Sequence, residues 1–338
     1  MKKILIGVIV LAIFWVGVGL IKPYQVADEN PWRKDERTLI SAHRGGANLN
    51  PENTEKAFDY VILETEYTDI VELDVRLTKD GQLVIIHDES INRTGIKGEA
   101  DEVKIIDKNL DELYGYNLGV NFEDKDGNKP YDFDTEKTVD ELKDLGLSIM
   151  SLEDFLTKYE NARDFRLLLE IKDSKEIGTK AVDVAEDIIA RYTTWDERIM
   201  IISFSTDVVK YTLDNYPNRF VAGMGYNMIP FLAGSLLGLD SLFQVKYQSV
   251  QTSMITKAGP ISINCATKQF VNSAHKRNQC VAYWTINEEE DMRHLINIGA
   301  DVITTNSPDL LAEVLEIIWL KKSIVEIGKT FVLIVHFV

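Results

Sequence analysis

"IVELDVRLTKDGQLVIIHD", residues 70–88, holds two apolar runs that each close on charged side chains. Short runs rich in Val, Ile and Leu are strand signals. The link between them, "RLTKDGQ", carries an Asp-Gly turn signal and is too short for a crossover helix. Outward from this stretch the pattern becomes regular. Strand candidates "TLISAH", "IVELDV", "LVIIHD", "RLLLEIK", "IMIISF", "FVAGM", "SVQTS", "VAYWTIN" and "DVITTN" are separated by amphipathic segments such as "SKEIGTKAVDVAEDIIARY" and "EEEDMRHLINIG". Strands alternating with helices specify a parallel sheet, and about eight such units specify an α/β fold of the TIM (β/α)8 barrel type. Nine candidates for eight places leave one outside the barrel. "SVQTS" and "FVAGM" are the expected outsiders, and the barrel is expected to be irregular near strands 2 and 3.

The remaining segments frame this barrel. Residues 1–22 open with Met1-Lys2-Lys3 and continue with 18 uncharged residues, Ile4 to Ile21. The run approaches the ~20 residues a membrane span needs. The expectation is an N-terminal transmembrane signal anchor at the cell membrane, single-pass, with Lys2 and Lys3 on the cytoplasmic side and the catalytic domain extracytoplasmic. A cleaved signal peptide and a secreted protein are the alternative. Residues 23–37 are polar and read as a tether, and 38–315 as the barrel. Residues 89–150, acidic and broken by Gly and Asn, form an insertion over one face. Within it "EDKDGNKPYDFDTE" lacks the spacing of a calcium loop and reads as solvated. Residues 316–338 end in an apolar tail that lies along a membrane or packs on the barrel.

The formal net charge of −17 excludes nucleic acid as the partner, since phosphate backbones are bound by a surplus of Lys and Arg. Cys265 and Cys280 fit no metal spacing and read as buried thiols in preference to a disulfide.

Four strand candidates end in charge: Ala42-His43-Arg44-Gly45-Gly46, Val71-Glu72-Leu73-Asp74, Ile85-Ile86-His87-Asp88 and Leu169-Glu170-Ile171-Lys172. Residues i and i+2 of a strand share a face, which pairs Glu72 with Asp74 and Glu170 with Lys172. If these are C-terminal strand ends, all converge on the barrel mouth. Three carboxylates brought together are unfavourable without a cation, and oxygen-only ligands favour a hard divalent cation, Ca²⁺ or Mg²⁺. Arg44 and Lys172 supply the charge that holds a phosphate. His43 and His87 form an acid-base pair. Gly45 and Gly46 let a substrate approach the main chain. His275, His294 and His336 keep an ordinary structural reading. A single charged strand end is commonplace, whereas four that together complete one metal-phosphate site are not.

On these residues the sequence resembles the glycerophosphodiester phosphodiesterase family. The shared motifs are "AHRGG" with "PENT", "VELDVRLTKDGQLVIIHD", "NRTG", "SLEDFL", "LLLEIK", "ISFS", "YWTIN" and "GADVITTNSPD", spanning Leu39 to Leu311. The resemblance implies a TIM barrel hydrolase that binds a divalent cation and releases sn-glycerol 3-phosphate and an alcohol. It implies metal ligands at Glu72, Asp74 and Glu170, catalytic His43 and His87, and phosphate contacts at Arg44 and Lys172. It also implies supporting roles for Glu52 and Asn53 and a pocket aromatic at Trp284. Asn278 stands where a glycine is frequent, a position where Asn tolerates a left-handed turn. The implied substrate is a small-molecule or polymeric glycerophosphodiester. Alternatives are a membrane-proximal phospholipase-type enzyme acting on lipid or lysolipid, and a non-catalytic membrane-tethered barrel.

Overall fold

The computed structural model describes residues 2–27, 29–33, 37–259 and 261–335. Its strands are β1 (Leu39–Ala42), β2 (Ile70–Leu77), β3 (Leu83–Ile85), β4 (Arg166–Ile171), β5 (Ile199–Ile202), β6 (Phe220–Gly223), β7 (Ser249–Thr252), β8 (Ile255–Ala258), β9 (Ile261–Asn264), β10 (Cys280–Tyr283) and β11 (Val302–Thr305). Eight of these pair in parallel in the order β1-β11-β10-β7-β6-β5-β4-β2, and β1 pairs with β2 to close the barrel.

Of the nine candidates, the one outside the barrel is β3, not one of the two expected; β8 and β9 pair separately with each other. "FVAGM" and "SVQTS" supply β6 and β7, both parallel barrel strands. β3 instead folds back antiparallel on the end of β2, with Val75 opposite Ile85 and Leu77 opposite Leu83. The Asp-Gly link forces this outcome: Thr78 N donates to Gln82 O at 2.9 Å, and Gly81 takes φ +80°. So short a closure permits only a hairpin. β2 is eight residues long and overshoots the rim, so the returning chain descends to it, and Ile86 N donates to Asp74 O at 2.9 Å.

Residues 89–150 pack on this hairpin. Ile91, Ile105, Leu113, Leu118 and Ile149 join Val84 and Ile86 in a satellite core separate from the barrel. The insertion thus carries apolar packing of its own beneath its acidic surface. The Asp124 carboxylate turns inward to its own loop, accepting from the backbone N of Asp126 and Asn128 at 2.9 and 2.8 Å.

The segment expected as a tether is built into the barrel floor. Trp32, 1% exposed, packs inside with Leu39, Ile70, Leu168, Met200, Ala222, Cys280, Ala282 and Val302. Asn30 fixes it there, donating to Gln248 O at 2.9 Å and Asn278 O at 2.8 Å. Asn278 has φ +55°, the left-handed turn its residue type tolerates. Burying an indole removes much apolar surface from water, which is reason enough for the segment to stay.

The transmembrane anchor does not stand. The N-terminal helix covers Lys2–Gly19, 18 residues. At about 1.5 Å per residue that is about 27 Å, short of a ~30 Å hydrocarbon core. Among the described residues no helix is long and apolar enough to cross a membrane. The single-pass topology and the extracytoplasmic placement argued from it fall together. The end of this helix lies against the barrel, where Ser241 Oγ donates to Val18 O at 3.0 Å. At the other terminus, a helix over Pro308–Val335 runs on from the barrel through the expected boundary near 316. The side chains beyond 323, and residues 336–338 with His336, lie outside the described residues, so only the backbone of most of the expected tail is described. Both cysteines are free and buried.

Candidate active site

Side-chain alternation builds the site. Ile70, Leu168, Met200, Ala222, Ala282 and Val302 face the barrel interior around Trp32. The same parity, two and four residues further toward the C-terminal strand ends, yields Glu72 and Asp74, Glu170 and Lys172, Met224, Trp284 and Thr304. Parallel register sets Asp74 beside Glu170. Glu72, Asp74 and Glu170 therefore meet as one buried group, each offering an oxygen within 4.8 Å of the others. His43, Arg44, Glu72, His87, Glu170, Lys172 and Trp284 line a single pocket of about 100 Å³ at the mouth. A larger cavity, about 420 Å³, lies elsewhere, between the start of β1 and the C-terminal helix, and holds none of these residues.

Arg44 enters through a turn only a flexible backbone permits. It sits at φ 53°, followed by Gly45 at +80° and Gly46 at +88°. The glycines serve packing rather than access. A Cβ on Gly45 would lie 2.9 Å from Ala57 Cβ, and one on Gly46 would lie 3.3 Å from Pro308 Cγ. This turn lets Arg44 N donate to Glu72 Oε2 at 2.8 Å while its guanidinium reaches Glu52 at 2.9 Å. Arg44 Nε also stands 3.4 Å from Asp74 Oδ2. Asn53 donates to Asp74 Oδ2 at 2.8 Å. Lys172 Nζ donates to Glu170 Oε1 at 2.8 Å and lies 3.5 Å from Asp74 Oδ1. All ten residues singled out in the sequence are thus within one connected region, with Glu52 and Asn53 behind the pocket wall.

The electrostatics match such crowding. Burial, with Asp74 and Glu170 next, raises Glu72 well above the usual carboxylate range. Burial and then Asp74 push Glu170 up to about 7. For Asp74 burial works upward, but Lys172 and Arg44 outweigh it and hold the carboxyl low. His43 is pushed down to about 4 by burial and by Arg44. Burial also lowers His87, with Asp74 and Asp88 opposing.

Both imidazoles are oriented through Nδ1, His43 by Asn306 Oδ1 at 2.6 Å and His87 by Asp88 Oδ1 at 2.6 Å. With Nδ1–H donating to these oxygens, Nε2 is the free nitrogen of each ring. Asn306 and Asp88 were not singled out in the sequence. Asp88 was adjacent to His87, but Asn306 lies 263 residues from His43, and only the closing of β1 against β11 joins them. Phe204, at the end of β5, meets Trp284 edge to face with ring centroids 5.3 Å apart. Gln251 from β7 completes the wall.

The donor set fits a hard divalent cation. It is all oxygen, it is buried, and Asp74 Oδ1 has no hydrogen-bond partner.

Comparison with known proteins gives the family and the fold. A curated glycerophosphodiester phosphodiesterase of Caldanaerobacter subterraneus is 28% identical over 280 residues, 81% of this chain and 96% of that one. A glycerophosphodiester phosphodiesterase structure from Thermotoga maritima superposes with TM-score 0.56 at 21% identity, covering 83% of this chain and 99% of that one. An Oleispira antarctica phosphodiesterase, solved in complex with the product sn-glycerol-3-phosphate, superposes with TM-score 0.59 at 18% identity over 83% and 97% of the two chains. At that identity the structures establish the barrel. The profile of the glycerophosphoryl diester phosphodiesterase family matches residues 43–310, from the first site histidine to the start of the last helix. The chain belongs to the glycerophosphoryl diester phosphodiesterase family and is, as a member, a phosphoric diester hydrolase.

Proposed function

We propose that this chain hydrolyses glycerophosphodiesters to sn-glycerol 3-phosphate and an alcohol, with His43 and His87 as the acid-base pair. The reading is carried by one observation: two oriented imidazoles, two cations and two of the three clustered carboxylates face one small pocket, with Asp74 beneath it. The product bound to the Oleispira antarctica phosphodiesterase supports the same substrate class.

Arg44 and Lys172 hold the phosphoryl oxygens, Arg44 braced by Glu52 and Lys172 by Glu170. A free Nε2 of one histidine takes the proton of the hydroxyl next to the ester as that hydroxyl attacks phosphorus. The other histidine gives its proton to the departing alcohol oxygen as the P–O bond breaks. The cyclic phosphate left behind is opened by water, with the two histidines exchanging roles and returning to their starting protonation. Trp284 and Phe204 form the apolar wall against which the carbon skeleton lies. Glu72, Asp74 and Glu170 would hold Mg²⁺ or Ca²⁺, which supplies Lewis-acid stabilisation of charge building on phosphorus-bound oxygen.

The test is release of glycerol 3-phosphate from a panel of glycerophosphodiesters with Mg²⁺, Ca²⁺ or EDTA. His43→Ala and His87→Ala are each expected to lower kcat by about 10²–10⁴-fold. No product from any diester with either ion rejects the proposal. So does turnover indifferent to EDTA and to both substitutions.

A further inference from the structure

Arg93 lies outside the pocket, in the insertion, and no role in the chemistry above falls to it. Its contacts nevertheless connect both halves of the site. Arg93 Nε donates to Asp88 Oδ2, and the other oxygen of that carboxylate orients His87. Its two terminal nitrogens donate to Glu52, Nη1 to Oε2 at 2.9 Å and Nη2 to Oε1 at 2.7 Å. Glu52 Oε1 also accepts from Arg44 Nη1 at 2.9 Å. One planar fork therefore spans from the imidazole support to the phosphate-arginine support. A guanidinium spreads its donors over three nitrogens in one plane, which lets separate N–H groups meet the two carboxylates.

The insertion holds Arg93 where it stands. Asn121 Nδ2 donates to the backbone oxygens of Arg93 and Ile96 at 2.9 and 2.7 Å. Asn92 clamps the same turn, donating to Asp101 O at 2.9 Å and accepting from Val103 N at 2.8 Å. Isolated exposed ion pairs contribute little, but a bidentate pair shared within a network is the arrangement that fixes side-chain geometry.

We propose that Arg93 is a positioning residue: through Asp88 and Glu52 it sets His87 and Arg44 in one mutual geometry, and this is how residues 89–150 act on the reaction. The inference rests on the diesterase reading above. Loss of the fork frees Asp88 to rotate away from His87 and Glu52 away from Arg44, so turnover and substrate binding suffer together. Outer-sphere partners of this kind are worth about 10–100-fold where they have been removed.

Steady-state kinetics on a glycerophosphodiester that wild type turns over provide the test, with Arg93→Ala, Arg93→Lys, Asp88→Asn and Glu52→Gln. Arg93→Ala is expected to lower kcat/KM about 10–100-fold, through both kcat and KM. Arg93→Lys, which reaches one carboxylate but not two, is expected to fall between. In the Asp88→Asn, Glu52→Gln double background, Arg93→Ala is expected to cost severalfold less than in wild type, because the charges it pairs with are already gone. Arg93 is half exposed, 49% by side chain, and a melting curve of each variant checks that it is folded before its kinetics are read. Three results overturn the proposal: kcat and KM of Arg93→Ala within twofold of wild type, a lowered melting temperature with kinetics unchanged, or an Arg93→Ala effect that persists in full in the double background. A wild-type protein inactive on every diester rejects the functional reading itself, and is told apart by that control.

Discussion

Replacing Glu72 by Gln should stabilise the ion-free protein and remove most of the stability that a divalent cation adds. At a pH high enough to ionise all three, carboxylates whose oxygens lie within 4.8 Å repel one another when no ion is present. Two unit charges about 5 Å apart at an effective dielectric of about 20 repel by about 3 kcal/mol. Glu72→Gln removes one charge and keeps an oxygen to accept from Arg44 N. At about 2.1 cal/mol/K per residue, the 338 residues give a melting entropy of about 0.7 kcal/mol/K. The EDTA-treated variant should then melt about 4 °C above EDTA-treated wild type. With Mg²⁺ or Ca²⁺ at about 100 times its Kd, wild type gains about 2.7 kcal/mol, again about 4 °C. A variant bound about 100-fold more weakly gains about 0.4 kcal/mol at the same concentration, under 1 °C. Scanning calorimetry in EDTA and across a titration of each ion measures both arms. Identical wild-type melting with and without either ion refutes the metal assignment. So does a variant that keeps the full ion-dependent shift.

Trp32→Ala should destabilise the barrel by about 3–5 kcal/mol, read by urea denaturation, while kcat of the folded fraction stays near wild type because the floor is remote from the mouth. Gly45→Ala places a Cβ 2.9 Å from Ala57 at φ +80°, so a loss of about 1–3 kcal/mol is expected in the same assay, and a neutral result contradicts the packing described. Burial works to raise Asp88, but Arg93 and His87 prevail and hold its carboxyl at about 2. A depressed carboxyl stabilises the fold above its unfolded value near 3.9 and ceases to as pH falls toward 2. Asp88→Asn should therefore flatten the wild-type loss of stability between pH 4 and 2, and an unchanged acid limb counts against the ion pairs.

Local patterns made much of this legible. The spacings Glu72-x-Asp74 and Glu170-x-Lys172 needed only strand parity to face inward, and the register of β2 with β4 brought them together. Counting strands failed where two readings share one signal. "LVIIHD" looks like a barrel strand by composition, and only the brevity of the Asp-Gly link distinguishes a hairpin. Trp32 lay in a polar stretch whose composition hides a side chain that anchors it. The N-terminal run had span-like composition but only 18 helical residues. Asn306 and Arg93 act across 263 and 41 residues, distances over which a single sequence carries no pairing signal.

His87 hangs from the hairpin and its satellite core, while His43 stands on the barrel itself. The two proposed proton carriers therefore rest on different apolar clusters, and the satellite cluster is the smaller of the two. A sub-global opening of that cluster separates the pair without melting the larger one. On warming, turnover is expected to cease before the chain unfolds, with amides of residues 84–118 exchanging with solvent ahead of those in the barrel wall, as activity and hydrogen-exchange measurements across temperature would read.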